Sequence, residues 1–449
     1  MSIEVELLVI GAGTAGIRTA ITAANSGADV VLVGDGELGG ASLNTACLPS
    51  KTLLESARLY RKMQSLEAFG LRGSVDADYS QVVKHMKQLR AQGRVHAEQA
   101  VEQAPGLRYV PGRARFVSKN IVEVGQQRFV AQKIILATGS QPVIPSIPGL
   151  QDTQFYTSES IIELESLPKS MVIIGAGRVG CEFATLFASF GVRVTLVERS
   201  AAVAGFLDPD VSALVRSQLE RLGVRVFVKT AVTSISEGDE RVTCSLSGAD
   251  KSRVSAQKLL VATGRSPNTD GLRLGVAGVA VNGSGAVVVN KFLRCSNPVV
   301  YAVGDVTGRS RFTHTARRES WLALENALMD SRQQLDYSRI PWVLSTPLLV
   351  AGVGRSEREL RKAGVRFSVL EASCEFTARS QIAGSSGRVK VLHKKDRILG
   401  AVVIGEQADA LIHELAALMH VPDGLRVLHT VVHAHPSFAE VFENLRPRE

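Results

Sequence analysis

Two stretches of the chain repeat one pattern, and that repeat limits the possible fold more than any other feature. The first runs from the apolar segment Leu7-Leu-Val-Ile10 into Gly11-Ala-Gly-Thr-Ala-Gly16, through a helical segment to Ala24, and into a second apolar segment, Asp29 to Val33. The second runs from Met171-Val-Ile-Ile174 into Gly175-Ala-Gly-Arg-Val-Gly180, through a helix to Phe190, and into Val192 to Val197. Strand, GxGxxG turn, helix and parallel strand together make a βαβ unit suited to a dinucleotide. The first glycine makes the tight turn and the second lets backbone approach a pyrophosphate. The third lets helix and strand pack closely, and the free N–H groups of the helix start hold the phosphates. A single GxGxxG is weak evidence, because a tight turn alone explains it. Two copies about 160 residues apart, each set between a strand and a helix, predict tandem dinucleotide-binding units.

Each unit calls for an acid at the end of its second strand, about 20 residues on, to accept from ribose hydroxyls. In the second unit Glu198 stands there, and a carboxylate repels a 2′-phosphate, so the expected nucleotide is NAD. Arg193 and Arg199 nearby keep NADP from being excluded outright. In the first unit the position is Gly34; Asp35 next to it, or the backbone, takes the role, and an exposed turn residue explains Asp35 nearly as well.

A chain of 449 residues is too long for one ordinary core, so two to four domains are expected. Pro142, Pro145 and Pro148 mark a link between the two repeats, each of which ends in Ala-Thr-Gly, at Thr138-Gly139 and Thr263-Gly264. Helical spacing of Leu53, Ala57, Tyr60 and Met63 predicts a helix after Cys47, and a second helical stretch from about Tyr79 to Gln103 is expected to be interrupted at Gly93. Beyond Tyr301-Ala-Val-Gly304-Asp305, Pro341 to Val353, Phe367 to Leu370, Arg388 to His393 and Ile398 to Ile404 read as short strands of a separate layer with an antiparallel sheet. The net charge of +9 is dispersed, and aromatics make up only 5%, which disfavours nucleic acid as a partner. No apolar run is long enough to span a bilayer, and the acidic start lacks a signal peptide's order, so a cytoplasmic protein is the default expectation. Five widely spaced cysteines, Cys47, Cys181, Cys244, Cys295 and Cys374, make neither a disulfide framework nor a zinc pattern, and no metal is expected.

Gly39-Gly40-Ala-Ser42-Leu-Asn-Thr-Ala-Cys47-Leu-Pro-Ser-Lys51 resembles the redox segment GGTCxNxGCxPSK of the class I pyridine nucleotide–disulfide oxidoreductases. The resemblance extends over nearly the whole chain. It takes in both fingerprints, both Ala-Thr-Gly ends, Tyr301 to Asp305, and His433-Ala-His435-Pro-Ser-Phe-Ala-Glu440, which is similar to the family's HxHPTxxE. It implies an α/β, glutathione-reductase-like fold: two tandem Rossmann-type domains plus a C-terminal α+β dimerisation domain. The implied division is 1–143 with 265–334 for FAD, 144–264 for NAD and 335–449 for dimerisation. The nearest members implied are dihydrolipoamide dehydrogenase and mercuric-reductase-like proteins, which are FAD-containing homodimers. By resemblance, Gly11, Gly13, Gly16, Gly39, Gly40, Thr138, Gly139, Gly304 and Asp305 belong to the FAD site, and Gly175, Gly177, Gly180, Glu198 and Gly264 to the NAD site. Lys51 lies near the flavin and pairs with Glu182. Cys47 is the flavin-facing thiol, and His435, oriented by Glu440, is the acid/base offered to the other subunit. The residue types suit thiol chemistry: the thiolate is the reactive form, imidazole exchanges protons near neutral pH, and a carboxylate fixes its orientation. His433 and the four remaining cysteines read as structural.

Four positions depart from the family pattern. Ser42 stands where the substrate-facing cysteine is expected, and a serine forms no disulfide and is a poor nucleophile near neutral pH. Arg178 stands where an aromatic residue often gates the nicotinamide side. Ser345-Thr346-Pro347-Leu348 replaces T-[DE]-P-E, and Gly34 lacks the ribose acid. The C-terminus carries no vicinal cysteine pair, which disfavours mercury, and the fingerprint with Glu198 disfavours a glutathione-type enzyme. The main expectation is a dihydrolipoamide-dehydrogenase-like flavoenzyme, impaired at Ser42, with a dihydrolipoyl group on a carrier protein as partner. Two alternatives stay open: a single-thiol NADH oxidase, peroxidase or transhydrogenase, and a non-catalytic flavoprotein that binds a lipoyl carrier.

Overall fold

A computed structural model describes residues 2–238 and 240–448. The first fingerprint unit lies in a seven-stranded sheet. Ser2–Ile10 is its centre, paired in parallel with Val30–Gly34 on one side and Gln127–Leu136 on the other. Leu7, Leu8, Val9 and Ile10 are all buried, as a parallel strand covered on both faces requires. Helix α1 (Thr14–Asn25) packs over this sheet and against α7 (Thr313–Leu328). The short α2 (Gly40–Asn44) and the longer α3 (Cys47–Met63) follow the second strand. Val300–Ala302 returns to pair with Gln127–Leu136, so the chain leaves this sheet, builds another, and comes back.

Helix α4 (Tyr79–Glu102) is continuous, which corrects the expected break at Gly93. A Cβ there would lie 2.5 Å from Leu43 Cδ1, so the glycine lets α2 sit against the helix backbone and does not end the helix. Its N-terminus is capped by Asp78, whose side chain accepts from Ser80 and Gln81 N–H.

The second fingerprint unit forms a five-stranded parallel sheet with Ser170–Ile174 at its centre, flanked by Arg193–Val197 and Lys258–Val261. Helices α5 (Arg178–Ser189) and α6 (Pro209–Arg221) belong to this layer, with a three-stranded antiparallel sheet (Thr230–Glu237, Val242–Gly248, Arg253–Ala256) beside it. The C-terminal layer is a six-stranded antiparallel sheet, as the sequence predicted. Pro341 to Val353 divides into two of its strands, Trp342–Ser345 and Leu349–Gly354. Helix α8 (Glu357–Lys362) follows them and is closed by a capping box from Ser356 and Glu359. Among the described residues, no helix is long and apolar enough to cross a membrane.

Candidate active site

The two glycine turns owe their shape to the strand ends beside them. Gly11 has φ +112°, and a Cβ on it would lie 2.3 Å from Ala137 O; Gly175 has φ +102°, with Ala262 O at 2.5 Å. The Ala-Thr-Gly repeats therefore lie directly over the fingerprints, a link between motifs that sequence alone left separate. Gly13 and Gly177, the N-cap residues of α1 and α5, carry no side-chain cap, and the space before Gly177 is open. Both helix starts thus keep backbone donors for an anion. Gly40 would meet Gly13 Cα at 2.7 Å if it carried a Cβ, and Gly39 N–H donates to Ala12 O at 3.0 Å, so this pair packs onto the first turn. A dinucleotide pyrophosphate fits both cradles.

Around the first cradle, Ser140 Oγ donates to Asp305 Oδ2 at 2.5 Å and accepts from Arg265 Nε at 2.8 Å. Thr138 Oγ1 donates to Asn268 O, and Asn268 N–H donates to Gly139 O. Gly304 N–H donates to the buried Glu319 at 2.6 Å; burial pushes the Glu319 carboxyl above its ordinary range. Asp35 is exposed and pairs with Arg113 at 3.0 Å, beside a small pocket lined by Gly34, Gly36 and Tyr109.

Around the second cradle, Gly175, Gly177, Glu198 and Gly264 line a cleft of about 1050 Å³. Glu198 Oε2 accepts from Ala176 N–H at 2.8 Å and Oε1 from Ser200 N–H at 2.7 Å, so the carboxylate braces the fingerprint turn. Gly180 supports the turn from within the helix, where a Cβ would meet Gly175 O. Arg178, at the first position of α5, places its guanidinium 3.9 Å from the Phe206 ring centroid and 4.9 Å from those of Phe312 and Trp342. Burial draws its pKa down to about 10, and its hydrogen bond to Val343 O, the one it makes among the described residues, is long at 3.5 Å. Three aromatic faces thus take the place of a carboxylate partner.

The redox segment brings most of its expected residues together. Cys47 is exposed at the start of α3. Lys51, one turn on, donates to Glu182 Oε2 at 2.6 Å, and Glu182 Oε1 accepts from Ser345 N–H at 3.1 Å. The departure at Ser345-Thr346-Pro347-Leu348 therefore reaches the site through its backbone. Thr313, which the sequence reading missed, is the first residue of α7. Its Oγ1 lies 3.1 Å from Ser42 Oγ and 3.3 Å from Cys47 Sγ. No local signal marked it, since a hydroxyl at a helix start reads as a cap.

His435 Nδ1 lies 2.5 Å from Glu440 Oε1, and Glu440 Oε2 accepts from Ser437 N–H. The hydrogen bond from His435, then that from Ser437, holds the Glu440 carboxyl below its usual range. The His435 side chain is 70% exposed, and Glu440 is its polar partner among the described residues; within one chain it is not joined to Cys47. His433 is buried and bonds Glu414 at 3.1 Å, in keeping with a structural role. The other four cysteines are buried as well, and burial pushes Cys244 and Cys295 up to about 12 and Cys374 up to about 11.

Residues 5–320 match the pyridine nucleotide-disulphide oxidoreductase family, and residues 340–446 match its dimerisation domain. The chain is 31% identical to a dihydrolipoyl dehydrogenase of Chlamydia muridarum, covering 97% of this chain and 95% of that protein. It is 34% identical to a mercuric reductase of Streptomyces lividans, covering 96% and 93%. Among solved structures, the Cu(II) complex of the HOCl-induced flavoprotein disulfide reductase RclA from Escherichia coli superposes with a TM-score of 0.89 at 26% identity, over 98% of this chain and 99% of that one.

Proposed function

The chain belongs to the pyridine nucleotide-disulphide oxidoreductase family, and on that premise we propose that it is a dihydrolipoamide-dehydrogenase-like enzyme whose dithiol arm is interrupted at Ser42. Its family uses FAD and NAD(P)H. The division that suits this reading is 1–143 with 265–334 for FAD, 144–264 for the nicotinamide nucleotide and 335–449 for contacts between two copies; the dimerisation-domain match supports a homodimer. Bound FAD supplies a two-electron relay between nicotinamide and thiol chemistry.

The chain's own residues have these tasks. Gly11, Gly13, Gly16, Gly39 and Gly40 bring backbone close to the FAD pyrophosphate, with Thr138, Gly139, Gly304 and Asp305 shaping the rest of that groove and Asp35 at the end of the second strand for the ribose. Gly175, Gly177, Gly180 and Gly264 frame the nicotinamide nucleotide cleft, and Glu198 selects NAD by repelling a 2′-phosphate. Lys51, held by Glu182, presents a cation near Cys47. His435, fixed by Glu440 and exposed, exchanges protons with a dithiol at the second copy's site. The substrate is a dihydrolipoyl group on a carrier protein.

One observation carries this reading: both the Lys51–Glu182 pair and the His435–Glu440 dyad are assembled, while Cys47 is the one exposed thiol and meets the hydroxyl of Thr313, which in turn reaches Ser42. The test compares the wild type with Ser42→Cys in dihydrolipoamide:NAD⁺ turnover, with NADH-driven dye reduction as a control. The expected result is dye reduction by both and lipoamide turnover by the variant alone, with a gain of several orders of magnitude. Lipoamide turnover by the wild type would sink the proposal. A second reading, a single-thiol flavoprotein that reduces peroxide or oxygen, draws on Thr313, which gives Ser42 a partner of its own; it predicts fast peroxide or oxygen consumption and no gain from Ser42→Cys.

A further inference from the structure

We infer that Arg178 makes the second cleft discriminate by oxidation state: it binds the reduced nicotinamide nucleotide, whose ring is neutral, in preference to the oxidised one, whose ring is a cation. The inference rests on the reading of this cleft as the nicotinamide nucleotide site and on nothing in the dithiol half. It goes beyond that reading by assigning a direction, since such a cleft is suited to taking electrons from NADH.

The cleft walls orient a dinucleotide. Glu198 follows the strand Arg193–Val197, where the adenosine ribose belongs. Toward the redox segment stand Arg178, Phe312 and Trp342, and Phe312 is followed directly by Thr313, whose hydroxyl lies 3.3 Å from Cys47 Sγ. A nicotinamide that reaches the redox segment therefore passes Arg178. Three layers supply the aromatic faces around that side chain: Phe206 comes from the turn before α6, Phe312 from the residue before α7, and Trp342 from the first strand of the C-terminal sheet. The rings are fixed in place. Phe206 and Trp342 meet edge to face at 5.7 Å, Phe312 stacks on the His314 ring at 5.1 Å, and Trp342 lies over Gly352, where a Cβ would come within 2.3 Å of it. The guanidinium fills the space between them, 3.9 Å from the Phe206 centroid and 4.9 Å from the other two.

The charge of Arg178 is not cancelled. Among the described residues it makes no ion pair, only the long hydrogen bond to Val343 O. Glu182, one turn on along α5, is engaged by Lys51 at 2.6 Å. Both oxygens of Glu198 are taken by backbone N–H groups of Ala176 and Ser200. Arg311, beside Phe312, lines the same cleft and makes no ion pair among the described residues either. Aromatic faces could welcome a pyridinium, but Arg178 already occupies them. Two like charges about 6 Å apart at an effective dielectric of about 20 repel by roughly a hundredfold in affinity, which water in an open cleft lowers to about tenfold. Adenosine, ribose and pyrophosphate are common to both nucleotides, so their contacts cancel in the comparison. Loss of a hydride turns the neutral ring into a cation, so the arginine favours departure of the nucleotide once it has reacted.

The experiment is titration calorimetry of the oxidised, flavin-loaded protein with three probes: NAD⁺, tetrahydro-NAD, whose neutral ring cannot give up a hydride, and ADP-ribose, which has no ring. The wild type should bind tetrahydro-NAD about tenfold more tightly than NAD⁺. Arg178→Met should bind NAD⁺ more tightly than the wild type does and bring the two affinities to within about threefold of each other. Arg178→Lys, which keeps the charge, should keep the preference. A gain in NAD⁺ affinity on losing an arginine is a sign that mere loss of packing does not produce. Retained flavin absorbance checks folding, and Arg178→Gln, also neutral, replaces Arg178→Met if that variant loses its flavin. Equal affinities in the wild type, a neutral variant that weakens all three probes in parallel, or loss of the preference in Arg178→Lys would each overturn the inference and leave the cleft reading intact. Failure of all three probes to bind the wild type would overturn the cleft reading, and the inference with it.

Discussion

Replacing Lys390 by methionine should cost this protein about 3 kcal/mol, although the residue lies outside the catalytic centre. Lys390 Nζ is 3.2 Å from Asp208 Oδ2, 3.1 Å from Asp210 Oδ1 and 3.0 Å from Glu357 Oε1. The Lys390 and Asp208 side chains are each 2% exposed. This cluster ties the start of α6, in the layer of the second glycine fingerprint, to α8 and the C-terminal sheet, and Asp208 also accepts from Glu357 N–H and Arg358 N–H. At an effective dielectric near 20, each 3 Å contact is worth roughly 5 kcal/mol of attraction, against a desolvation cost of several kcal/mol per ion. The net value of the lysine is modest, but its loss leaves carboxylates together in a dry site. Breaking a buried pair from one side costs roughly 3–5 kcal/mol. Arg388 beside Asp210 and Arg448 beside Glu357, each at 2.7 Å, relieve part of that, which puts the figure at the low end. Calorimetry of the flavin-loaded protein should show the transition that contains α6 and α8 falling by roughly 6–12 °C. Adding Asp208→Asn to Lys390→Met should cost much less than the sum of the single changes, because the second substitution removes a charge that the first left unpaired. A fall under about 2 °C for Lys390→Met, or strict additivity in the double variant, would refute this reasoning.

The same cluster sets an acid limit. Burial alone would raise the Glu357 carboxyl, but hydrogen bonds from Arg448 and Lys390 outweigh it and hold the group down at about 2. A depressed carboxyl stabilises the fold above its unfolded value and loses that contribution as pH falls through the folded one, so wild-type stability should drop between about pH 4.5 and 2. Lys390→Met should show a shallower drop in acid denaturation followed by circular dichroism. Gly11→Ala should abolish flavin retention, read as the ratio of flavin to protein absorbance, because its Cβ would lie 2.3 Å from Ala137 O at a φ of +112°. Glu198→Gln should lower the preference for NADH over NADPH about tenfold in dye-reduction kcat/KM, since an amide no longer repels a 2′-phosphate. It should also leave either Ala176 or Ser200 N–H without its acceptor, at a cost of about 1 kcal/mol.

What the sequence determined by itself is what is contiguous in it. Each glycine fingerprint, its flanking strands and helix, and the redox segment from Gly39 to Lys51 lie within a few dozen residues. Their spacing reports local geometry directly, because turn, helix and strand are set by neighbouring residues. The Lys51–Glu182 and His435–Glu440 pairs followed from the family resemblance, and the distances agree. Gly93 shows where local propensity misleads: its effect on α4 was set by Leu43, some fifty positions away, which fills the space a side chain would need. Tertiary structure alone decided the rest. Ala137 and Ala262 lie over the fingerprint glycines, and Ser345 reaches Glu182. Lys390 closes a cluster between two layers. Thr313 joins Ser42 and Cys47 across more than half the chain. Thr313 and Lys390 carry no pattern of their own, because a hydroxyl or an ammonium gains its role from whatever packing brings within hydrogen-bond reach of it. The sequence could show that one of two thiols was missing; the fold supplied the hydroxyl that stands between Ser42 and the thiol that remains.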